Sequence, residues 1–320
     1  MSQFSGVANA KGRGIAISVG LNAVDPTRYG GWEGTLTACE NDARDMTAIA
    51  KANGFAVVDP LLTKAATIDA VIAAIRSAAG QLEDGDIFMI CYSGHGDQIA
   101  DSTAPPEDKG LNQSWCLYDG ELLDKELYVE WSHFKKGVRI LVFSDSCHSE
   151  GITKAVPEDY IMALTGIKNG PADPGFNLAM ARIDKLTTLF EAETVRLAAQ
   201  GKPRVKAVPP KVSVRAQIIQ NLKNRVKNVP RPAGIDAWVL SLSACRNAEL
   251  AGDGDTNSIF TAAVKDVWNS GAFTGSYTQF HAAVAAAVLK TWDAQHATTR
   301  MKDADHAEYY AQRPFTLAAP

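Results

Sequence analysis

Two short segments carry side chains that could act together on a carbonyl group: Tyr92-Ser93-Gly94-His95-Gly96 and Ser144-Asp145-Ser146-Cys147-His148-Ser149. A cysteine thiolate is a strong nucleophile toward carbonyl carbon, but the thiol needs a base to remove its proton. Imidazole is suited to that task near neutral pH. Glycines on both sides of His95 permit a close backbone approach where a bulkier neighbour would strike a substrate. Small polar residues around Cys147 leave its sulfur room to react. Taken singly, each has a plainer explanation. A histidine after a strand is more often a hydrogen-bonded structural residue, and a buried cysteine is usually a small hydrophobe. Cys91 and Cys116, each among apolar neighbours, receive that plainer assignment. The pair His95 and Cys147 is read as catalytic.

The elements needed to bring the pair together are legible as alternating apolar runs and helical periodicities. Gly14–Gly20, Phe55–Asp59, Asp86–Tyr92, Arg139–Phe143 and Asp236–Leu242 read as five strands. Helical spacing covers Thr37–Asn53, Thr67–Gln81 with Thr67 as a cap, Ile259–Asn269 and Tyr277–Trp292. Strands separated by helices predict a doubly wound, mostly parallel α/β sheet with helices on both faces. In such a sheet functional groups collect at the carboxyl ends of strands, where both reactive segments fall. No Gly-x-Gly-x-x-Gly or P-loop follows the first strand, which argues against nucleotide binding.

Between Ser149 and Gly234 the pattern lapses. No convincing strand is found there, only a helix over Asn177–Gln200 and then a proline-punctuated basic region. From Arg196 to Arg231 there are ten Lys or Arg and no Asp or Glu. Such a run ordinarily marks a solvated linker or helix face. The chain therefore divides into a larger half, 1–150, an insertion after the fourth strand, 151–234, and a smaller half, 235–320.

Composition narrows the function classes. The sequence has 320 residues, 46% of them hydrophobic and 21% charged, a globular balance able to bury a large core. A net charge of −4 gives no reason to expect nucleic acid or an acidic membrane as partner. There is no signal-peptide pattern at the N-terminus and no apolar run near the roughly 20 residues that span a bilayer. Five scattered cysteines do not form a disulfide framework. These features together predict a cytoplasmic protein.

The Tyr-Ser-Gly-His-Gly and Asp-Ser-Cys-His-Ser segments resemble the caspase-like cysteine peptidases of the metacaspase and bacterial orthocaspase branch. The separation of 52 residues between His95 and Cys147 is close to the roughly 50 found in caspases. Cys39-Glu40-Asn41-Asp42-Ala43-Arg44-Asp45-Met46 resembles a further block of that branch, and Leu242–Cys245 with Ser258–Thr261 resembles its last strand and following helix. The resemblance implies Cys147 as nucleophile, His95 as general base and then acid, and an oxyanion hole from the N–H groups of Gly94 and Cys147. It implies cleavage of peptides or proteins after Arg or Lys, with Asp42 and Asp145 lining the pocket for the cation and Ser93, Cys39 and Ser243 completing the substrate site. A desolvated guanidinium or ammonium needs a carboxylate, which fits that assignment.

Many members of the branch require calcium. This sequence departs from the acidic pattern concerned: Asp124-Lys125 stands where two aspartates are usual, and Lys154 replaces another acidic residue. A hard cation needs several anionic oxygens, so calcium is disfavoured and no cofactor is expected. Asp101, Glu107, Asp108 and Asp119 are read as solvated loop carboxylates. The basic stretch carries a further expectation. Its prolines should keep parts of it extended and accessible, so the enzyme could cut itself there. A packed basic helix over Val212–Val226 would resist. The alternatives to a peptidase are a catalytically silent interaction module and another thiol amidase or acyltransferase on the same architecture.

Overall fold

The computed structural model describes residues 12–100, 111–147, 176–212, 234–246, 249–301 and 307–318. Its twelve strands are β1 (Gly14–Gly20), β2 (Ala56–Val57), β3 (Leu61–Leu62), β4 (Ile87–Ser93), β5 (Gly96–Ala100), β6 (Leu111–Leu117), β7 (Gly120–Leu123), β8 (Arg139–Asp145), β9 (Arg204–Val205), β10 (Trp238–Ser243), β11 (Gly252–Asp253) and β12 (Thr298–Met301). The helices are α1 (Cys39–Ala52), α2 (Ile68–Ala79), α3 (Asp124–Trp131), α4 (Phe176–Ala199), α5 (Ile259–Trp268), α6 (Tyr277–Thr291) and α7 (Ala307–Ala311).

The main sheet runs β12-β10-β8-β4-β1-β2, with β3 also paired to β1. All its pairings are parallel except β10 with the edge strand β12. Every residue of β1 and β4 is buried, because helices cover both faces; that is why these strands read as unbroken apolar runs. Alternation divides each strand between two cores. Met89, Cys91, Leu141 and Phe143 join one core with Met46 of α1, Phe260 of α5 and Val284 of α6. Phe88, Ile90, Ile140 and Val142 join the other with Val71 of α2 and Trp131 of α3. Thr67 caps α2 as expected, its hydroxyl accepting from the Ala70 N–H at 3.2 Å.

The structure departs from the sequence reading at three places. The Phe55–Asp59 run yields only the two-residue edge strand β2. An antiparallel meander, β5-β6-β7, stands apart from the main sheet. The insertion contains a strand after all: β9 pairs antiparallel with β11, Val205 opposite Gly252 and Arg204 opposite Asp253. Two residues hold no periodicity, so this strand exists only through its partner. Ahead of it, α4 buries Ile183, Phe190 and Leu197 at seven-residue spacing, and the last two belong to the same core as α5 and α6. The described part of the insertion, α4 and β9, is thus packed against the rest of the chain. Among the described residues no helix is long and apolar enough to cross a membrane.

The C-terminal segment is held by one side chain at the start of β8. The fully buried Arg139 guanidinium donates through Nη1 to Gln312 Oε1 (2.8 Å), Thr316 O (3.1 Å) and Ala318 O (3.0 Å), and through Nη2 to Gly85 O (2.9 Å) and Leu317 O (2.5 Å). Replacing Arg139 with Leu strands several buried carbonyls at once. We expect a stability loss of about 3 kcal/mol or more in urea unfolding; a loss below about 1 kcal/mol would mean that the tail is anchored by its apolar contacts instead.

Candidate active site

Adjacent strands β4 and β8 end in register, Ser93 opposite Asp145. Their side chains emerge on the face covered by α1 and α5. His95 lies two residues beyond Ser93 and Cys147 two beyond Asp145, so the sheet delivers all four to one end of the molecule.

His95 is 5% exposed. Its Nε2 lies 2.9 Å from the Gly34 carbonyl oxygen. A carbonyl can only accept, so in the neutral ring Nε2 carries the proton and Nδ1 keeps the lone pair of a base. Nδ1 makes no hydrogen bond among the described residues. The Trp32 ring packs on the imidazole at 4.6 Å between centroids. Burial pushes the His95 pKa down to about 4, against the opposing pull of the Gly34 and Lys206 carbonyls, so the ring is neutral at pH 7.

Cys147 is fully buried. Its Sγ is engaged by Ala251, whose N–H donates to the sulfur at 2.6 Å and whose carbonyl accepts from it at 3.2 Å. Gly96 lies directly against the Cys147 backbone: a Cβ there would be 1.9 Å from the Cys147 carbonyl oxygen. Only glycine fits, which gives the second glycine of the motif its physical reason.

Lys206, immediately after β9, fills the centre of the site. Its N–H donates to Ala251 O (3.0 Å) and its carbonyl accepts from the Gly96 N–H (3.1 Å). Its side chain is fully buried; Nζ donates to Ser93 Oγ (2.9 Å) and to Asp145 O (3.0 Å) and pairs with Asp145 Oδ1 at 2.8 Å, with Asp42 Oδ2 at 3.7 Å. Burial alone would discharge the ammonium, but Asp145, then Cys39 and Asp42, outweigh it and hold Lys206 above the ordinary lysine range. Asp145 and Asp42, the two carboxylates expected to take a cation, therefore do take one, supplied by the chain itself. The start of α5 fixes both. Asp145 Oδ2 accepts from Thr261 N–H and Oγ1 (3.1 and 2.7 Å), and Asp42 accepts from Ser258 N–H, Ser258 Oγ and Asn257 Nδ2. Carboxylates at a helix N-terminus are favoured by its dipole and free N–H groups.

The remaining expectations divide. Ser93 belongs to the pocket, bridging Lys206 to Asp42 Oδ2 (2.7 Å). Cys39 is buried at the start of α1, where burial raises its thiol pKa and Ser93 and Lys206 are its neighbours. Gly94 is not the oxyanion donor expected, because its N–H continues the β4–β8 ladder to Asp145 O at 3.3 Å; the N–H aimed at the Lys206 carbonyl is that of Gly96. Ser243 is not brought to the pocket, since β10 turns it into a separate cavity of about 220 Å³ with Trp131 and Arg300. Within the basic stretch Arg204 is exposed, whereas Lys206, Ala207 and Val208 are at most 2% exposed. The stretch from 213 to 233 lies outside the described residues. So do Asp101, Glu107, Asp108 and Lys154 of the calcium question. Asp119 is a half-buried cap rather than a free loop carboxylate, accepting from the Ile68 N–H at 2.9 Å. Among the described residues no three His, Cys, Asp or Glu gather as a metal site.

The sequence profile of the Caspase domain family matches residues 13–316. The chain belongs to the caspase-domain family. It is 26% identical over 152 residues to Metacaspase-4 of Arabidopsis thaliana, covering 45% of this chain and 35% of that protein. It is 28% identical over 180 residues to Metacaspase-1A of Neurospora crassa, covering 51% and 37%. The chain thus spans little more than a third of the length of these curated relatives. A crystal structure of protein GSU0716 from Geobacter sulfurreducens is 37% identical, with a TM-score of 0.72 over 95% of this chain and 99% of that one.

Gly96, Ala251, Thr261 and Lys206 escaped the sequence reading of this caspase-domain chain. The Gly-His-Gly motif could have pointed to Gly96 as readily as to Gly94. Nothing local distinguishes Lys206 from the other nine basic residues of its stretch. His95 gives the site a pH signature. Above its unfolded pKa of about 6.5 it is neutral in both states; below that, the unfolded chain gains a proton that the folded protein cannot hold until about pH 4. Stability should therefore fall by about 3 kcal/mol as pH drops through that window. Urea unfolding of Cys147→Ala beside Cys147→Ala/His95→Gln checks this, and equal pH dependence in both would show that His95 is not the group responsible.

Proposed function

We propose that this caspase-domain protein is a cysteine endopeptidase that cleaves after a basic residue, Arg or Lys, and that its first substrate is its own Lys206–Ala207 bond. The observation that carries the reading is Lys206: its ammonium is seated on Asp145 and Ser93 while its carbonyl oxygen accepts from the Gly96 N–H. A cationic residue thus sits as a substrate would, with β9 added to β11 in the manner of a bound peptide strand. External substrates would take the same path once β9 is displaced.

In the reaction, rotation about the Cα–Cβ bond of Cys147 frees Sγ from Ala251. Nδ1 of His95 takes the thiol proton, and sulfur attacks the Lys206 carbonyl carbon. The oxygen gains the negative charge, held by the Gly96 N–H and, as the family resemblance implies, by that of Cys147. Collapse breaks the Lys206–Ala207 C–N bond, and His95 returns the proton to the Ala207 nitrogen. Water, deprotonated by His95, then hydrolyses the thioester, releasing the Lys206 carboxylate and restoring the thiol. The same occupancy supports a rival reading in which Lys206 permanently closes a catalytically silent module.

Incubation of the full-length chain decides between them. The wild type should split into two fragments, the second beginning Ala207-Val208-Pro209, that remain associated because β10 is paired on both sides, to β8 and β12. Cys147→Ala should stay whole, and His95→Ala should be slower by a hundredfold or more. Splitting of Cys147→Ala would reveal a contaminating protease. An intact wild type with no activity on Lys or Arg peptides would favour the silent module. Lys125 and Lys154, standing where the resemblance expects acidic residues, support independence from calcium: turnover should be the same in chelator and in millimolar calcium, and strong stimulation would reveal a site built from residues outside those described.

A further inference from the structure

We infer that the pocket selects Lys over Arg, and that it does so through the distribution of acceptors around Ser93 and Asp145. The inference rests on the peptidase reading and narrows its substrate class.

Each carboxylate oxygen in the pocket can be followed to its donors. Asp42 Oδ1 accepts from Asn257 Nδ2 and Ser258 N–H, both at 3.0 Å, and Asp42 Oδ2 from Ser93 Oγ (2.7 Å) and Ser258 Oγ (2.5 Å). Asp145 Oδ2 accepts from the N–H and the hydroxyl of Thr261. Only Asp145 Oδ1 is left for the incoming cation, and Lys206 Nζ pairs with it at 2.8 Å. Two neutral acceptors complete the seat. Ser93 Oγ has given its proton to Asp42 and so offers a lone pair, and the Asp145 main-chain oxygen lies 3.0 Å from Nζ.

An ammonium has three donors radiating from one atom, which matches one carboxylate oxygen, one hydroxyl and one carbonyl converging on a point. A guanidinium has five donors fixed in a plane, and its strong mode of binding is a parallel fork onto both oxygens of one carboxylate. Neither carboxylate has both oxygens open, because α5 already occupies three of the four. The space left over is about 10 Å³; it is lined by Val19, Ala43, Met46, Phe143 and Val264 and by Asp42, Ser93 and Asp145. Arginine would bring a larger head group with more N–H donors into that space, where both Asp42 oxygens and Asp145 Oδ2 already accept from other groups. Buried donors left unpaired are what let a polar site reject a near relative of its ligand.

The test uses wild-type protein incubated until self-cleavage is complete, and matched peptides differing only in Lys, Arg or norleucine before the cut. We expect kcat/KM at least tenfold higher for Lys than for Arg, with norleucine lowest. A second measurement avoids catalysis: in the Cys147→Ala background, Lys206→Arg should lower Tm, because the chain's own side chain no longer fits its seat. Equal or better cleavage of Arg peptides, or an unchanged Tm in the Lys206→Arg variant, would overturn the selectivity while leaving the basic pocket standing. Equal cleavage of norleucine peptides would overturn the basic pocket itself.

Discussion

An ammonium group removed from water must be given acceptors by the fold, and the Lys206 side chain is given three at the point where two strands and two helices meet. That constraint organises the site. Asp145 and Ser93 come from the ends of β8 and β4, Asp42 from the first turn of α1, and the donors that orient both carboxylates from the start of α5. Two carboxylates this close would repel each other without a cation between them. Lys206 supplies that cation while the chain is intact, and its main chain bonds to Gly96 beside His95 and to Ala251, the residue that engages the Cys147 sulfur.

The parallel sheet makes such a meeting possible. Because Ser93 and Asp145 are register partners, their side chains leave the sheet on the same face, the one covered by α1 and α5. Two residues beyond the end of each strand stand His95 and Cys147. Gly96 packs closely on the Cys147 carbonyl, and its N–H reaches the Lys206 carbonyl oxygen.

This division explains what the sequence disclosed. The four long parallel strands β1, β4, β8 and β10 and their helices are long enough to carry a periodicity, and His95, Cys147, Asp145 and Asp42 lie in segments with recognisable spacing. Elements created by tertiary pairing left no such trace: β9 and β11 are two residues each and owe their conformation to one another. The choice of Gly96 over Gly94 turns on which N–H the β4–β8 ladder has already used. The assignment of Ser243 failed for a related reason, since the direction in which a strand-end side chain points depends on pleat and twist rather than on its neighbours in sequence. Lys206 was visible only as one member of a basic run. Its distinction is three-dimensional, arising where the pairing of β9 with β11 sets it beside Asp145 and Asp42.

The seat of Lys206 also determines what cutting the chain would change. While intact, the segment is fixed at both ends: α4 anchors it through Phe190 and Leu197, and beyond it Lys211 donates its N–H to Thr187 (3.1 Å) and pairs with Asp184 (2.8 Å). Double anchoring gives the lysine a high effective concentration in its own pocket, which an external peptide could not match. A break after Lys206 removes one anchor and leaves the new end tethered only through α4. It also leaves a carboxylate, in place of a neutral carbonyl, beside His95 and Cys147, close to the two aspartates of the pocket. The same bond that marks Lys206 as substrate is then the bond whose loss weakens its hold. On this physical ground the seated lysine is better understood as a releasable latch than as a permanent plug.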